Sequence, residues 1–96
     1  MVRRMLLFVV GEEPNSIAAL ENLERLREAA SLYRFEVEVV NVLDDYATAL
    51  QHNVLVTPCL VLVDPPPRVM VAGSLKDLDK VQMALRLRID PVANHG

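Results

Sequence analysis

The chain is poor in cysteine and in aromatic residues. Its 96 residues contain one cysteine, two tyrosines, two phenylalanines and no tryptophan. A single cysteine excludes an internal disulfide and is compatible with a reducing compartment, so the cytoplasm is the expected location. Because aromatic residues make up only 4% of the chain, leucine and valine must supply most of the core.

The patterns that mark common catalytic and ligand sites are missing from the sequence. It has no Cys-x-x-Cys pair, and its three glycines form no glycine-rich loop for a phosphate group. The two histidines, His52 and His95, do not have the spacing of metal ligands. A net charge of −3 argues against general nucleic-acid binding, which needs a basic surface. We therefore expect no catalytic residue, no metal, no cofactor and no nucleic-acid partner.

The apolar run near the N-terminus is short. Residues 5–10 are uniformly apolar, but a signal peptide needs an apolar region of about 7–15 residues and a membrane span needs about 20. The acidic pair Glu12 and Glu13 follows, without a small-x-small cleavage site. We interpret this run as a buried strand and expect no membrane association.

The first half of the chain has the pattern of a βαβ unit. After the strand and a turn, apolar residues recur at helical spacing to about Leu32, and Asn15 or Ser16 is expected to cap this helix. From residue 35 to 42 the apolar period changes to two, which predicts a second strand. A helical connection of this length predicts that the two strands are parallel and that the crossover is right-handed.

The second half predicts a short helix and a hairpin. Residues 46–52 form the weaker helix, opened by acidic residues. Residues 59–63 are a continuous apolar run, which is typical of a strand buried on both faces. Three consecutive prolines at 65–67 end this strand, and residues 69–72 supply its antiparallel partner.

A last helix and a frayed tail complete the predicted fold. Ser74-x-x-Asp77 has the form of a capping box, so the helix is expected to run from Leu75 until Asp90-Pro91 stops it. The length fits one domain, over residues 1–90, followed by a flexible tail over residues 91–96.

The predicted order β-α-β-α-β-β-α resembles the thioredoxin fold, an α/β (α+β) three-layer sandwich with a mixed four-stranded sheet. In that superfamily a cis-proline before the third strand lies beside the active site, which makes Pro58 the expected cis-proline. A thioredoxin-type oxidoreductase also needs a thiolate at the start of the first helix, where this chain has residues 12–16, EEPNS. We therefore expect a binding module that is not an enzyme. The alternative is a redox or thiol-linked protein that uses Cys59.

A set of short motifs resembles one thioredoxin-like family, the KaiB circadian clock proteins, and the related N-terminal sensor domain of the clock-associated kinase SasA. The motifs extend over roughly residues 5–87, and they are Gly11-x-x-Pro14-Asn15-Ser16, Val42-Leu43, Leu55-x-Thr57-Pro58-x-Leu60, Pro65-Pro66-Pro67-Arg68, Gly73-x-Leu75 and Lys80-Val81. On these motifs the chain is identified as a KaiB-like protein.

The resemblance implies a non-enzymatic regulator whose partner is a KaiC-like hexameric ATPase or a sensor kinase. It also implies two folds, since KaiB proteins convert between a tetrameric ground-state fold and a monomeric thioredoxin-like fold by rearranging the half from about residue 44 onward. The β-branched valines at 61, 63, 69 and 71 favour the thioredoxin-like strands in this chain. A homo-oligomer, either a dimer or a tetramer, is a further alternative.

The candidate partner-binding residues are those expected on loops and edges around the place of the thioredoxin active site. They are Glu12, Glu13, Pro14, Asn15, Glu36, Glu38, Tyr46, Gln51, Thr57 and Pro58. The family often has basic residues at the positions of Ala18, Glu21 and Glu38. These departures from the family favour a divergent KaiC-like ATPase or a signalling kinase as the partner, because charge complementarity governs partner choice.

Overall fold

The computed structural model of the protein describes residues 2–87 and contains four strands and three helices. In chain order they are β1 Val2–Val9, α1 Pro14–Ala29, β2 Arg34–Asn41, α2 Tyr46–Gln51, β3 Cys59–Asp64, β4 Val69–Ala72 and α3 Leu78–Ala84. The predicted element order is confirmed. The tail over residues 91–96 lies outside the described residues. The predicted end of the last helix at Asp90-Pro91 is wrong, because α3 ends at Ala84 and Arg86 has a φ of 59°, outside the right-handed helical region.

The strands form one mixed sheet in the order β2-β1-β3-β4. β1 is parallel to β2 and antiparallel to β3, and β3 is antiparallel to β4. In the register, Phe8 of β1 lies between Val40 of β2 and Cys59 of β3. The two continuous apolar runs thus occupy the two central strands, where both faces of the sheet are covered, and the mixed four-stranded sheet is confirmed.

One face of the sheet packs against α1 and α3 and holds the larger core. Met5, Leu7, Leu60 and Leu62 point into it from the central strands, and all are buried. The helices contribute further buried side chains, among them Leu23, Leu26, Val81 and Leu85. The apolar spacing of α1 and α3 is therefore explained by their contact with this face.

The opposite face, which we call the α2 face, holds a smaller core. Its buried residues are Phe8, Val40, Ala49, Cys59 and Val61. Ala49 comes from α2, and the others come from three strands of the sheet. Helices on both faces confirm the three-layer sandwich. Because β3 and β4 are strands, the structure has the thioredoxin-like arrangement and not the alternative ground-state fold.

The predicted cap of the first helix is wrong. α1 begins at Pro14, its N-cap is Glu13, and the Glu13 carboxylate accepts a hydrogen bond from the Ser16 N–H at 3.1 Å. Proline suits the first helical position because the N–H it lacks would have no helical partner there. Asn15 and Ser16 are therefore inside the helix. The helix also ends at Ala29, three residues before the predicted end.

The predicted start of the last helix is also wrong. α3 begins at Leu78, and its N-cap is Asp77, whose carboxylate accepts a hydrogen bond from the Lys80 N–H at 3.2 Å. Leu75 is buried but has a φ of 64°, which a right-handed helix does not allow. The Ser74-x-x-Asp77 sequence is therefore not a capping box.

Candidate protein-interaction site

Three connecting segments meet at one end of the sheet, where the strand ends lie side by side. Because β1 and β2 are parallel and β3 runs the other way, the ends of β1 and β2 adjoin the beginning of β3. The segments are residues 10–13, 42–45 and 53–58. We call them the loop edge. It occupies the place where the thioredoxin fold has its active site, and it includes four of the ten candidate residues, namely Glu12, Glu13, Thr57 and Pro58.

Asn41 ties the first two of these segments together. Its side-chain oxygen Oδ1 accepts hydrogen bonds from the Gly11 N–H at 3.2 Å and from the Leu43 N–H at 3.1 Å. The segments also approach closely, since a Cβ atom on Gly11 would lie 3.4 Å from Leu43 Cδ1. Gly11 has a φ of 49°, a conformation that glycine adopts readily. The acidic turn after β1 and the loop after β2 are therefore joined directly.

Asp45 fixes the start of α2 and carries a charge. Its carboxylate accepts hydrogen bonds from the Thr48 hydroxyl at 2.6 Å and from the Thr48 N–H at 3.1 Å. Both bonds lower the pKa of Asp45, the hydroxyl more strongly, so the carboxylate remains ionised at neutral pH. At the other end of α2, the Val54 N–H donates to the Ala49 carbonyl at 2.9 Å. This bond turns the chain back beside the helix.

The Thr57–Pro58 peptide bond is cis. Thr57 is half-buried and Pro58 is fully buried. The Pro58 carbonyl accepts a hydrogen bond from the Gly73 N–H at 2.9 Å, which connects this segment to the end of β4. The Pro58 ring is therefore part of the protein interior and not a surface that a partner can contact.

Cys59 is placed as a core residue. Its side chain is 2% exposed. Burial raises the pKa of the Cys59 thiol, and the positive charge of Arg68 offsets only part of that effect. A buried thiol with a raised pKa is mostly protonated at neutral pH, whereas thiol exchange needs the thiolate. This environment does not favour the redox alternative.

Apart from the buried Pro58, the structure separates the candidate residues into two groups. Glu12 and Glu13 belong to the loop edge, and Pro14 and Asn15 begin α1 directly after it. Tyr46 begins α2 next to the loop edge, Gln51 is exposed at the end of that helix, and Thr57 lies in the third segment.

Glu36 and Glu38 form the second group, on strand β2. Glu36 lies opposite Arg4 in the register, and its carboxylate is 3.6 Å from Arg4 Nε. Both glutamates line an open groove of about 390 Å³. The other residues of the groove are Arg4, Met5, Leu6, Val37, His52, Val63 and Asp64. The sequence placed all ten candidates around one site, but these two belong to a separate groove of mixed charge.

The described part of the chain shows neither a metal-binding cluster nor a helix suited to cross a membrane. Within residues 2–87, no three histidine, cysteine, aspartate or glutamate residues group closely enough to hold a metal ion. No helix in the same part of the chain has the length and apolar character needed to cross a bilayer.

Sequence reasoning missed an apolar set on and beside α2. Leu43, Leu50, Leu55 and Val56 are all exposed, and Leu55 is 91% exposed. The sequence motifs include Leu43 and Leu55, but they do not indicate that either side chain is exposed. The available signal was the short helix predicted over residues 46–52, because so short a helix cannot cover apolar residues on both sides of it.

Comparison with known proteins identifies a family. The model of the KaiB domain matches residues 6–87. The circadian clock oscillator protein KaiB of Gloeothece citriformis (strain PCC 7424) is 35% identical over 86 residues, which is 90% of this chain and 81% of that protein.

Two solved structures support the fold alone, because each is under 25% identical. The N-terminal domain of SasA from Synechococcus elongatus has a TM-score of 0.72 at 22% identity, over 94% of this chain and 89% of that one. Mitochondrial thioredoxin 3 from Saccharomyces cerevisiae has a TM-score of 0.70 at 14% identity, over 88% of this chain and 78% of that one. The thioredoxin-like fold predicted from the element order is confirmed.

Proposed function

The chain belongs to the KaiB family of circadian clock proteins, and on this premise we propose that it is a non-enzymatic module that binds and regulates a KaiC-like hexameric ATPase or a sensor kinase. The observation that carries this proposal is the family match over residues 6–87. The local chemistry supports it, because Glu13 and Pro14 occupy the helix start where a thioredoxin has its reactive thiol.

We further propose that the protein acts in the cytoplasm as one domain and uses the loop edge to contact its partner. Loops held by a rigid scaffold are common binding sites, and hydrogen bonds to Asn41 hold this one in place. Exposed side chains from the first helix turn and from the start of α2 adjoin it, represented by Asn15 and Tyr46.

Affinity capture tests the proposal. The tagged chain is incubated with a cytoplasmic extract of its source organism in the presence of ATP, and bound proteins are identified by mass spectrometry. A KaiC-like ATPase or a sensor kinase is expected. The recovered protein is then purified, and its affinity for the full chain is measured directly. If neither class of protein is recovered with ATP supplied, the proposal is wrong.

A matched pair of variants locates the contact. Asn15→Ala changes an exposed residue beside the loop edge and is expected to weaken binding of the recovered protein several-fold. Glu24→Ala changes an exposed residue on α1 whose contact is an ion pair with Arg27 at 3.4 Å, and it is expected to leave binding unchanged. Equal effects of the two substitutions would exclude the loop edge as the contact.

A further inference from the structure

Exposed apolar residues are concentrated around α2. Among the described residues, eleven large apolar side chains are exposed, and five of them fall within residues 43–56. We call these five the apolar patch, and they are Leu43, Tyr46, Leu50, Leu55 and Val56. The three most exposed of them are Leu55 at 91%, Leu43 at 70% and Tyr46 at 65%. Clustered apolar exposure of this kind marks interaction sites in folded proteins.

The remaining exposed apolar residues are scattered. Each lies on a different element or connection, and they are Ile17, Leu32, Val39, Val63, Met70 and Met83. Single exposed apolar residues are normal on protein surfaces and need no explanation. The contrast indicates that the apolar patch is a local property of α2 and its flanking segments.

The backbone holds the members of the apolar patch on one short unit. Tyr46 and Leu50 are four residues apart on α2 and therefore share a helix face. The hydrogen bond from the Val54 N–H to the Ala49 carbonyl holds the segment that contains Leu55 and Val56 next to the helix. Leu43 is fixed ahead of the helix by its bond to Asn41. The patch is thus ordered before any partner binds, which lowers the entropy lost on binding.

The loop edge beside the apolar patch is negatively charged, whereas at the other end of α2 the Arg68 guanidinium donates a hydrogen bond to the His52 carbonyl. The loop edge contains four carboxylates, on Glu12, Glu13, Asp44 and Asp45. Residues 10–18 and 41–57 contain no lysine or arginine. Lys76 follows β4, which lies at the opposite edge of the sheet from β2. A partner surface that covers the apolar patch therefore meets negative charge on the side of the loop edge.

We propose that the apolar patch binds a segment of the partner protein in which lysine or arginine residues flank apolar side chains. The apolar side chains would cover Leu43, Leu55 and their neighbours, and the basic groups would pair with the carboxylates of the loop edge. A second copy of this chain is the less favourable occupant, because it would bring its own acidic loop edge against this one. The inference rests on the proposed function as an interaction module and specifies the chemistry of its partner.

A pair of synthetic peptides tests this chemistry without the natural partner. Both peptides repeat leucine at helical spacing, and their remaining positions are lysine in one and glutamate in the other. Each is titrated into the full-length isotope-labelled chain, and backbone amide shifts are recorded. The lysine peptide is expected to shift the amides of residues 43–56 and to bind at least about tenfold more weakly when salt rises from about 50 mM to about 500 mM. The glutamate peptide is expected not to bind.

Variants locate the binding. Leu43→Ser and Leu55→Ser are each expected to weaken lysine-peptide binding about tenfold, since each removes an apolar side chain that the complex buries. Leu32→Ser is the matched control, because Leu32 is 89% exposed but lies after α1, outside the apolar patch. Asp44→Asn is expected to weaken binding and to reduce its salt dependence.

The outcomes separate this inference from the proposed function. If the recovered ATPase or kinase binds Leu43→Ser and Leu55→Ser as tightly as the unchanged chain, the inference is wrong and the proposed function stands. If no such protein is recovered but the lysine peptide binds the apolar patch, the proposed function is wrong and the inference stands. The inference is also overturned if both peptides bind equally or if neither binds. A dimer in sedimentation that dissociates on Leu55→Ser would assign the patch to a second copy instead.

Discussion

Ser16 is a fully buried hydroxyl in the first turn of α1. Its oxygen accepts a hydrogen bond from the Val10 N–H at 3.0 Å, and its hydroxyl lies 3.4 Å from the Glu13 carboxylate. Ser16→Ala leaves the Val10 N–H without this partner. We expect it to lower the free energy of unfolding by about 1–3 kcal/mol, the usual effect of an unsatisfied buried polar group.

Urea denaturation measures this effect. Ser31→Ala is the control, because Ser31 is exposed after the end of α1 and its loss should change the free energy of unfolding by less than about 0.5 kcal/mol. Equal stability of the two variants would show that the Ser16 hydroxyl does not hold the turn between β1 and α1.

Cys59 provides a second prediction at the level of single residues. Because burial both shields the thiol and raises its pKa, iodoacetamide at pH 8 should alkylate the native chain at least about tenfold more slowly than the chain unfolded in guanidinium chloride. Mass spectrometry follows the reaction, and Cys59→Ser reports labelling at other groups. Rapid alkylation of the native protein would revive the redox alternative.

Residues 74–77 can be interpreted either as a capping box that starts at Ser74 or as a segment that leads to an N-cap at Asp77. The carboxylate of Asp77 accepts from the Lys80 N–H, so Asp77→Ala should lower the free energy of unfolding by about 1 kcal/mol, the usual effect of losing an N-cap side chain. Ser74→Ala should have a smaller effect, although a capping box would make Ser74 the more important residue. Thermal denaturation of the two variants decides the matter, and a larger loss with Ser74→Ala would contradict the observed start of the helix.

The sequence predicts the elements of this fold better than their boundaries. Residues 59–63 are apolar without interruption, which requires cover on both faces and so indicates a central strand. Leu75 also has the spacing of the last helix, yet it packs into the larger core before that helix begins. Its backbone conformation follows from packing against other elements, which local periodicity does not contain.

The candidate site was predictable only in part, for a related reason. Acidic residues after a strand, such as Glu12, are expected on a loop from their chemistry alone. Leu55 has the same apolar character as the buried Leu60, and nothing local separates the two. Whether an apolar residue is buried depends on what lies over it, and α2 is too short to cover Leu55. Exposed apolar residues at a site are therefore found from the structure.

At the scale of the molecule, the two cores are unequal in size. The core beneath α1 and α3 contains thirteen buried apolar residues among those described, whereas the core of the α2 face contains five. The smaller core removes less apolar area from water. Separating α2 from the sheet therefore requires less free energy than separating α1 and α3. α2 therefore has weaker anchoring than α1.

Native-state hydrogen exchange should show that α2 opens more easily than the elements of the larger core. The amides of Leu50 and Val54 are expected to exchange at least about tenfold faster than those of Leu7 and Leu26, because α2 can open while the rest stays folded. NMR detection at several low urea concentrations separates local opening from global unfolding. Uniform exchange across the four amides would show a single cooperative unit.

The weaker attachment of α2 matters for the rearrangement that the resemblance to KaiB proteins implies. The family resemblance implies a rearrangement from about residue 44 onward, and α2 is the first helix of that region. If this layer opens at low free energy, the partly open species would keep β1, α1 and their shared core as a template. The residues that rearrange would then form new contacts while the N-terminal half remains folded, and the whole chain would not need to unfold. A partner that covers the apolar patch would hold this layer closed, so that binding and the choice of fold become one linked equilibrium.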